Sequence, residues 1–154
     1  MKVKPAESLV NEHPRKTLSV LDSIPKGGLS TKKLKADYAV LYSMALDKSY
    51  IDLTTDSIIS PAITYYDKRK ASRNKMLMKY YHGRVMYNAE NYAEAIVRFT
   101  EAEEIARDLS VPLRQVALPQ RDRERTHSRR RRQEDVQATQ ELSRSQPDAQ
   151  HLRC

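Results

Sequence analysis

At 154 residues, with 6% aromatic residues and a mean hydropathy of −0.76, the chain has the length of one domain but core material for a smaller one. Three glycines and few β-branched runs argue against a sheet protein, and a 31% charged fraction suits helices with exposed faces. The net charge of +8 is spread thinly, +4 over residues 1–110 and +4 over 111–154, which reads first as solubility rather than as a nucleic-acid footprint.

Residues 1–13 read as a flexible N-terminus and 14–110 as the folded body. The start, "MKVKPAESLV", has no apolar run of signal-peptide length, no stretch is apolar enough to span a membrane, and the chain as written reads as cytoplasmic. The first helix is expected from Pro14, a good first-turn residue, to Ile24, with Leu18, Leu21 and Ile24 as its apolar edge. Pro25 and "KGG" stop it. A second helix starts after Ser30 or Thr31, either of which can cap free amides, and ends near Asp47–Lys48. Its stripe is Leu34, Tyr38, Leu41, Tyr42 and Ala45.

A third helix follows "LTTDS", with Ile59, Ala62, Ile63 and Tyr66 as its stripe. Pro61 admits two readings: a kink, or a helix that begins at Ser60 with Pro61 in its first turn. Asp47, Asp52 and Asp56 around this linker read as a loose acidic cluster in a solvated loop. The fourth helix covers about 73–88, with Leu77, Tyr80, Tyr81, Arg84, Val85 and Tyr87. The fifth opens at Asn91 with Glu94 three residues on, a capping-box arrangement, and fades before Pro112.

Beyond residue 110 the vocabulary changes. All nine tyrosines lie between Tyr38 and Tyr92, no lysine follows Lys79, and all seven glutamines lie from Gln115 onward. Residues 111–154 are Arg/Gln-rich and lack aromatics, so a disordered tail is expected. It reads either as a natural flexible tail or as a frame change or fusion, and the joint switch in Lys, Tyr and Gln favours the second. "RRRR" at 129–132 could neutralise phosphates, but no aromatic stacks beside it, so nucleic acid is a partner only through this tail.

Chemistry-bearing constellations are not expected. His13, His82, His127 and His151 have no partner at ligand spacing, and the single cysteine, Cys154, pairs with nothing in the chain. No nucleophile triad or phosphate-cradling glycine loop is present. The sequence therefore reads as non-catalytic, with no cofactor and no metal.

Regularity carries the positive signal. Tyr92, Ala95, Phe99, Ala102 and Ala106 recur at steps of three and four, so small residues let a neighbouring helix come close while rings fill the grooves. An offset of 33 sets Ile59 on Tyr92, Ala62 on Ala95, Ile63 on Ile96 and Tyr66 on Phe99. Over Met76–Asp108 the chain resembles the tetratricopeptide repeat family, whose units are helix pairs of about 34 residues. Gly83, Tyr92, Ala95, Phe99 and Ala102 stand at family packing positions. Lys79, His82, Met86 and Arg107 replace the usual Trp, Leu, Tyr and Pro. The body as a whole is similar to irregular helical-repeat proteins of Bacteroidetes type, "DKSYIDLTTDSII" resembling one of their inter-helix segments.

The resemblance implies an all-α, helix-turn-helix repeat body acting as a protein–protein scaffold, with a protein or peptide partner. Tyr38, Tyr42, Lys79, His82 and Met86 are the expected contacts on its exposed face. The tyrosine stripe (Tyr38, Tyr42, Tyr65, Tyr66, Tyr80, Tyr81, Tyr87) reads mainly as packing, with groove lining as the alternative. A nucleic-acid-associated regulator working through the Arg-rich tail is the alternative function.

Overall fold

Three side chains begin the long helices. Thr31, Ser72 and Asn91 each accept the backbone N–H three residues on, from Leu34, Lys75 and Glu94, at 3.1, 3.2 and 3.4 Å. Each satisfies an amide that the first turn leaves without a partner. The computed structural model describes residues 3–111, without the side chains of residues 3–7 and of Lys26. The helices are α1 (Val3–Glu12), α2 (Pro14–Asp22), α3 (Lys32–Lys48), α4 (Ser60–Tyr66), α5 (Arg73–Asn88) and α6 (Tyr92–Asp108), with one 3₁₀ turn at Lys26–Gly28. Among the described residues there is no strand. The expected tail, 111–154, lies outside the described residues apart from Val111.

The N-terminus departs from expectation. Residues 1–13 were expected to be flexible, yet α1 occupies most of them and packs on α2 and α3. Val10 is wholly buried and Leu9 half-buried, so the apolar step in "SLVNE" helps to dock this helix. The expected first helix is α2, ending at Asp22 rather than Ile24. At α4, Pro61 sits in the first turn, where its missing N–H removes no helical bond. Ile59 rather than Ser60 occupies the cap position, and Ser60 instead donates its backbone N–H to the Asp56 carbonyl at 2.8 Å.

Helices α3, α5 and α6 end in one way. Tyr50, Glu90 and Ser110 take left-handed backbone angles, φ 65°, 63° and 52°. The next amides, of Ile51, Asn91 and Val111, return to the carbonyls of Leu46, Met86 and Ala106 at 2.9–3.0 Å. This is the Schellman arrangement, built without glycine. At Asn91 it overlaps the cap of α6, so α5 turns into α6 within three residues.

Helix α3 packs on α1, α2, α4 and α5, and helix α5 on α3, α4 and α6. Met76, Leu77, Met78 and Tyr81 of α5 are almost wholly buried, in one core with Met44 and Ala45 of α3, Ile59 at the cap of α4 and Ala62 within it. Toward α6 the approach is set by Gly83. A Cβ there would lie 2.7 and 2.8 Å from the Phe99 ring and 3.3 Å from the Ala95 carbonyl oxygen. Ala95, Ala102 and Ala106 are buried on the same seam, and the Phe99 ring also packs on Tyr80 at 5.5 Å between centroids.

Two polar clusters lie inside this packing. The Asp37 carboxylate of α3 accepts from Lys33, from Tyr66 of α4 and from Asn74 of α5 at 2.7 Å. Burial alone would raise its pKa, but these hydrogen bonds hold it below the ordinary value. Asp47 was expected in a solvated acidic loop. It is buried instead, because Arg84 of α5 donates to it at 3.0 Å, with both side chains 7% exposed. Removing one partner of such a pair leaves a buried charge uncompensated. Asp47→Ala should therefore cost about 3–5 kcal/mol in urea denaturation, and the apolar double replacement Asp47→Leu/Arg84→Met much less. A loss below about 1 kcal/mol for the single variant would show the pair to be solvated.

Candidate partner-binding face

The five residues expected to meet a partner fall into two groups on different helices. Tyr38 and Tyr42 stack on α3 with centroids 5.6 Å apart, and both turn toward α2. Tyr38 donates to the Leu21 carbonyl at 3.1 Å and Tyr42 to the Asp22 carboxylate at 2.7 Å. That hydrogen bond, reinforced by burial, pushes the Tyr42 phenol up to about 12. Their hydroxyls thus hold α2 in place, and both residues are half-buried.

Lys79, His82 and Met86 share one side of α5, but Lys79 is not on an exposed face: it is 6% exposed. Its ammonium bridges Asp67, after α4, at 2.6 Å and Glu101 of α6 at 3.0 Å. Glu101 also accepts from Arg98 at 2.8 Å, and Arg98 bonds Glu94 one turn earlier. An unbroken ladder runs Asp67–Lys79–Glu101–Arg98–Glu94 along the α5–α6 seam. It lowers the pKa of Asp67, first through the Lys79 hydrogen bond. For Glu101, burial acts upward, but the bonds from Lys79 and Arg98 prevail and lower it. Lys79 is thereby a buried crosslink.

His82 is half-buried beside this ladder. Burial lowers its pKa, and the charges of Arg98 and Lys79 act in the same direction against Asp56 and Glu94. Met86 is also half-buried. Of the packing residues, Gly83, Ala95 and Ala102 are buried and Phe99 is half-buried, whereas Tyr92 is 53% exposed with its ring edge on Tyr87.

Exposed large apolar side chains among the described residues are Val20 of α2, Tyr50 and Ile51 after α3, and three on the outer side of α6. Tyr92, Ile96 and Val97 are 53%, 64% and 47% exposed. The offset of 33 sharpens this. Ala62 and Ala95 are both buried, but Ile59 is wholly buried and Ile63 packs on the core, while their counterparts Tyr92 and Ile96 face solvent. Helix α4 has α5 packed beside it, and no helix follows α6 among the described residues.

Among the described residues no group of three His, Cys, Asp or Glu side chains is placed to hold a metal ion, and no helix is long and apolar enough to cross a membrane. Compared with family profiles, with curated proteins and with solved structures, the chain finds no match.

A depressed histidine pKa means that the folded state favours the neutral ring. The contribution of His82 is complete above its ordinary value of 6.5 and fades as pH falls through the lower folded value. The urea midpoint should drop between pH 7.5 and pH 5.5, and the drop should be smaller in His82→Gln. An equal drop in both proteins would place His82 in an environment no different from water.

Proposed function

We propose that this chain is a non-catalytic protein–protein interaction module of helix-pair repeats, of the tetratricopeptide kind, whose α6 face docks a protein partner. The observation that carries the reading is the mismatch between Ile59 and Ile63, which are covered, and Tyr92 and Ile96, which stand 33 residues further on and are open. Apolar side chains grouped on an otherwise charged surface favour association. Tyr92 brings a large ring and a hydroxyl, a combination common among binding anchors.

The close seam at Gly83, Ala95, Phe99 and Ala102 supports the same reading. It makes α5 and α6 a stiff hairpin, so the outer face is presented with little conformational freedom to lose on binding. Tyr38, Tyr42 and Lys79 serve here as internal ties rather than as partner contacts. His82 and Met86 remain candidates for the edge of the interface.

The test is capture of a partner by the affinity-tagged full chain in its native cells, with cross-linking from a photoreactive residue at Thr100. A discrete protein adduct should form with the parent chain. Ile96→Asp/Val97→Asp should reduce it at least tenfold without lowering helicity, because both positions are exposed. Adduct formation indifferent to this pair would count against α6 as the docking face.

A further inference from the structure

We propose that the open basic groove between α3 and α4 seats an acidic segment of a protein partner. The inference rests on the interaction-module reading and names the chemistry of a second contact on it. The groove encloses about 520 Å³ and is lined by Lys32 and Lys35 from α3, Ser60, Thr64 and Tyr65 from α4, and Arg69 just beyond. It lies away from the α6 face.

Its charge is one-sided. The lining residues include three cations, Lys32, Lys35 and Arg69, and no carboxylate. Asp67 is engaged by Lys79, and Asp37 of α3 by Lys33, Tyr66 and Asn74. The carboxylates nearest in sequence are therefore committed elsewhere. Lys32 and Lys35 are exposed and have no ion-pair partner among the described residues. Lys68 and Lys70 flank Arg69 on the same turn and are exposed too.

The third cation of the groove is held in advance of binding. Arg69 lies 4.0 Å from the Tyr65 ring centroid and its Nε donates to the Tyr65 carbonyl at 2.9 Å. Lys75 pins the same turn by donating to the carbonyls of Asp67 and Arg69 at 2.8 and 2.7 Å. The terminal nitrogens of Arg69 keep their fork for a carboxylate, with little side-chain freedom left to lose. Exposed hydroxyls of Ser60 and Thr64 supply further hydrogen bonds.

The same geometry disfavours a nucleic acid. Single strands are held by stacking bases on open rings. The Tyr65 ring carries the Arg69 guanidinium on one face and meets Tyr66 edge-on at 4.9 Å. A peptide side chain needs no free ring face.

The experiment is fluorescence anisotropy with the full chain at about 0.15 M salt, near a physiological ionic strength. The probes are a labelled Asp/Glu-rich peptide with one central Phe, its Asn/Gln counterpart, and a labelled 12-nucleotide single strand. The acidic peptide should bind and the amide peptide should not. Lys32→Glu/Lys35→Glu should weaken binding at least tenfold, whereas Arg129→Glu/Arg130→Glu, with the same change in net charge, should alter it less than twofold. Circular dichroism checks that helicity is kept, and Lys32→Gln/Lys35→Gln replaces the reversal if it is not. Absence of acidic-peptide binding, equal weakening by both double variants, or a strand that binds through Lys32 and Lys35 more tightly than the peptide would each overturn the proposal. Any of these with α6-dependent capture intact removes the groove alone and leaves the interaction module standing.

Discussion

The close approach of α6 to α5 at Gly83 is the constraint on which the rest of the body depends. A helix interior ordinarily favours alanine over glycine by about 1 kcal/mol, so glycine at this point is a local sacrifice. What it gains is room for the Phe99 ring, which would overlap any Cβ at that position. Ala95, Ala102 and Ala106 continue the same economy of size along α6. Because the two backbones lie this close, Lys79 can reach Glu101, and the outer side of α6 is left as the surface on which Tyr92 and Ile96 stand.

Polar groups complete what a modest apolar core begins. Asp37 gathers α3, α4 and the start of α5 at one carboxylate. Asp47 and Arg84 join the far end of α3 to the middle of α5. The ladder from Asp67 to Glu94 ties the turn after α4 to α6 through Lys79. In water each pair would contribute little. For the buried members, Asp37, Asp47, Lys79 and Arg84, the consequence of being left unpaired is large, so these clusters set which helices become neighbours more than they add to net stability.

The starts of α3 and α6 were legible in the sequence because Thr31 and Asn91 are local signals read within one turn, whereas Ser72, which caps α5, was not singled out. The seam was legible too, since Gly83, Ala95 and Ala102 declare their size. Residues 1–13 misled, because among its described side chains α1 buries only Val10 fully, beside a half-buried Leu9, and two adjacent apolar residues make no periodic pattern. The exposure of Lys79 was misjudged for a related reason: a lysine reads as surface until its two carboxylate partners, 12 and 22 residues away, are in place. Arg84 in the stripe of Tyr80, Tyr81 and Val85 was the available clue that a buried ion pair was needed, and Asp47 answered it. The basic groove escaped the sequence because its lysines come from α3 and Arg69 from the turn after α4.

The central claim is that Phe99 and Gly83 share one space. A double-mutant cycle on folding stability, from urea midpoints of the parent chain, Gly83→Ala, Phe99→Ala and the double variant, tests it directly. With the ring present, overpacking of about 1–3 kcal/mol should outweigh the helical gain of about 1 kcal/mol, so Gly83→Ala destabilises. With the ring removed, the same substitution should stabilise. A Gly83→Ala effect of equal size and sign in both backgrounds would contradict the close seam and the module built upon it.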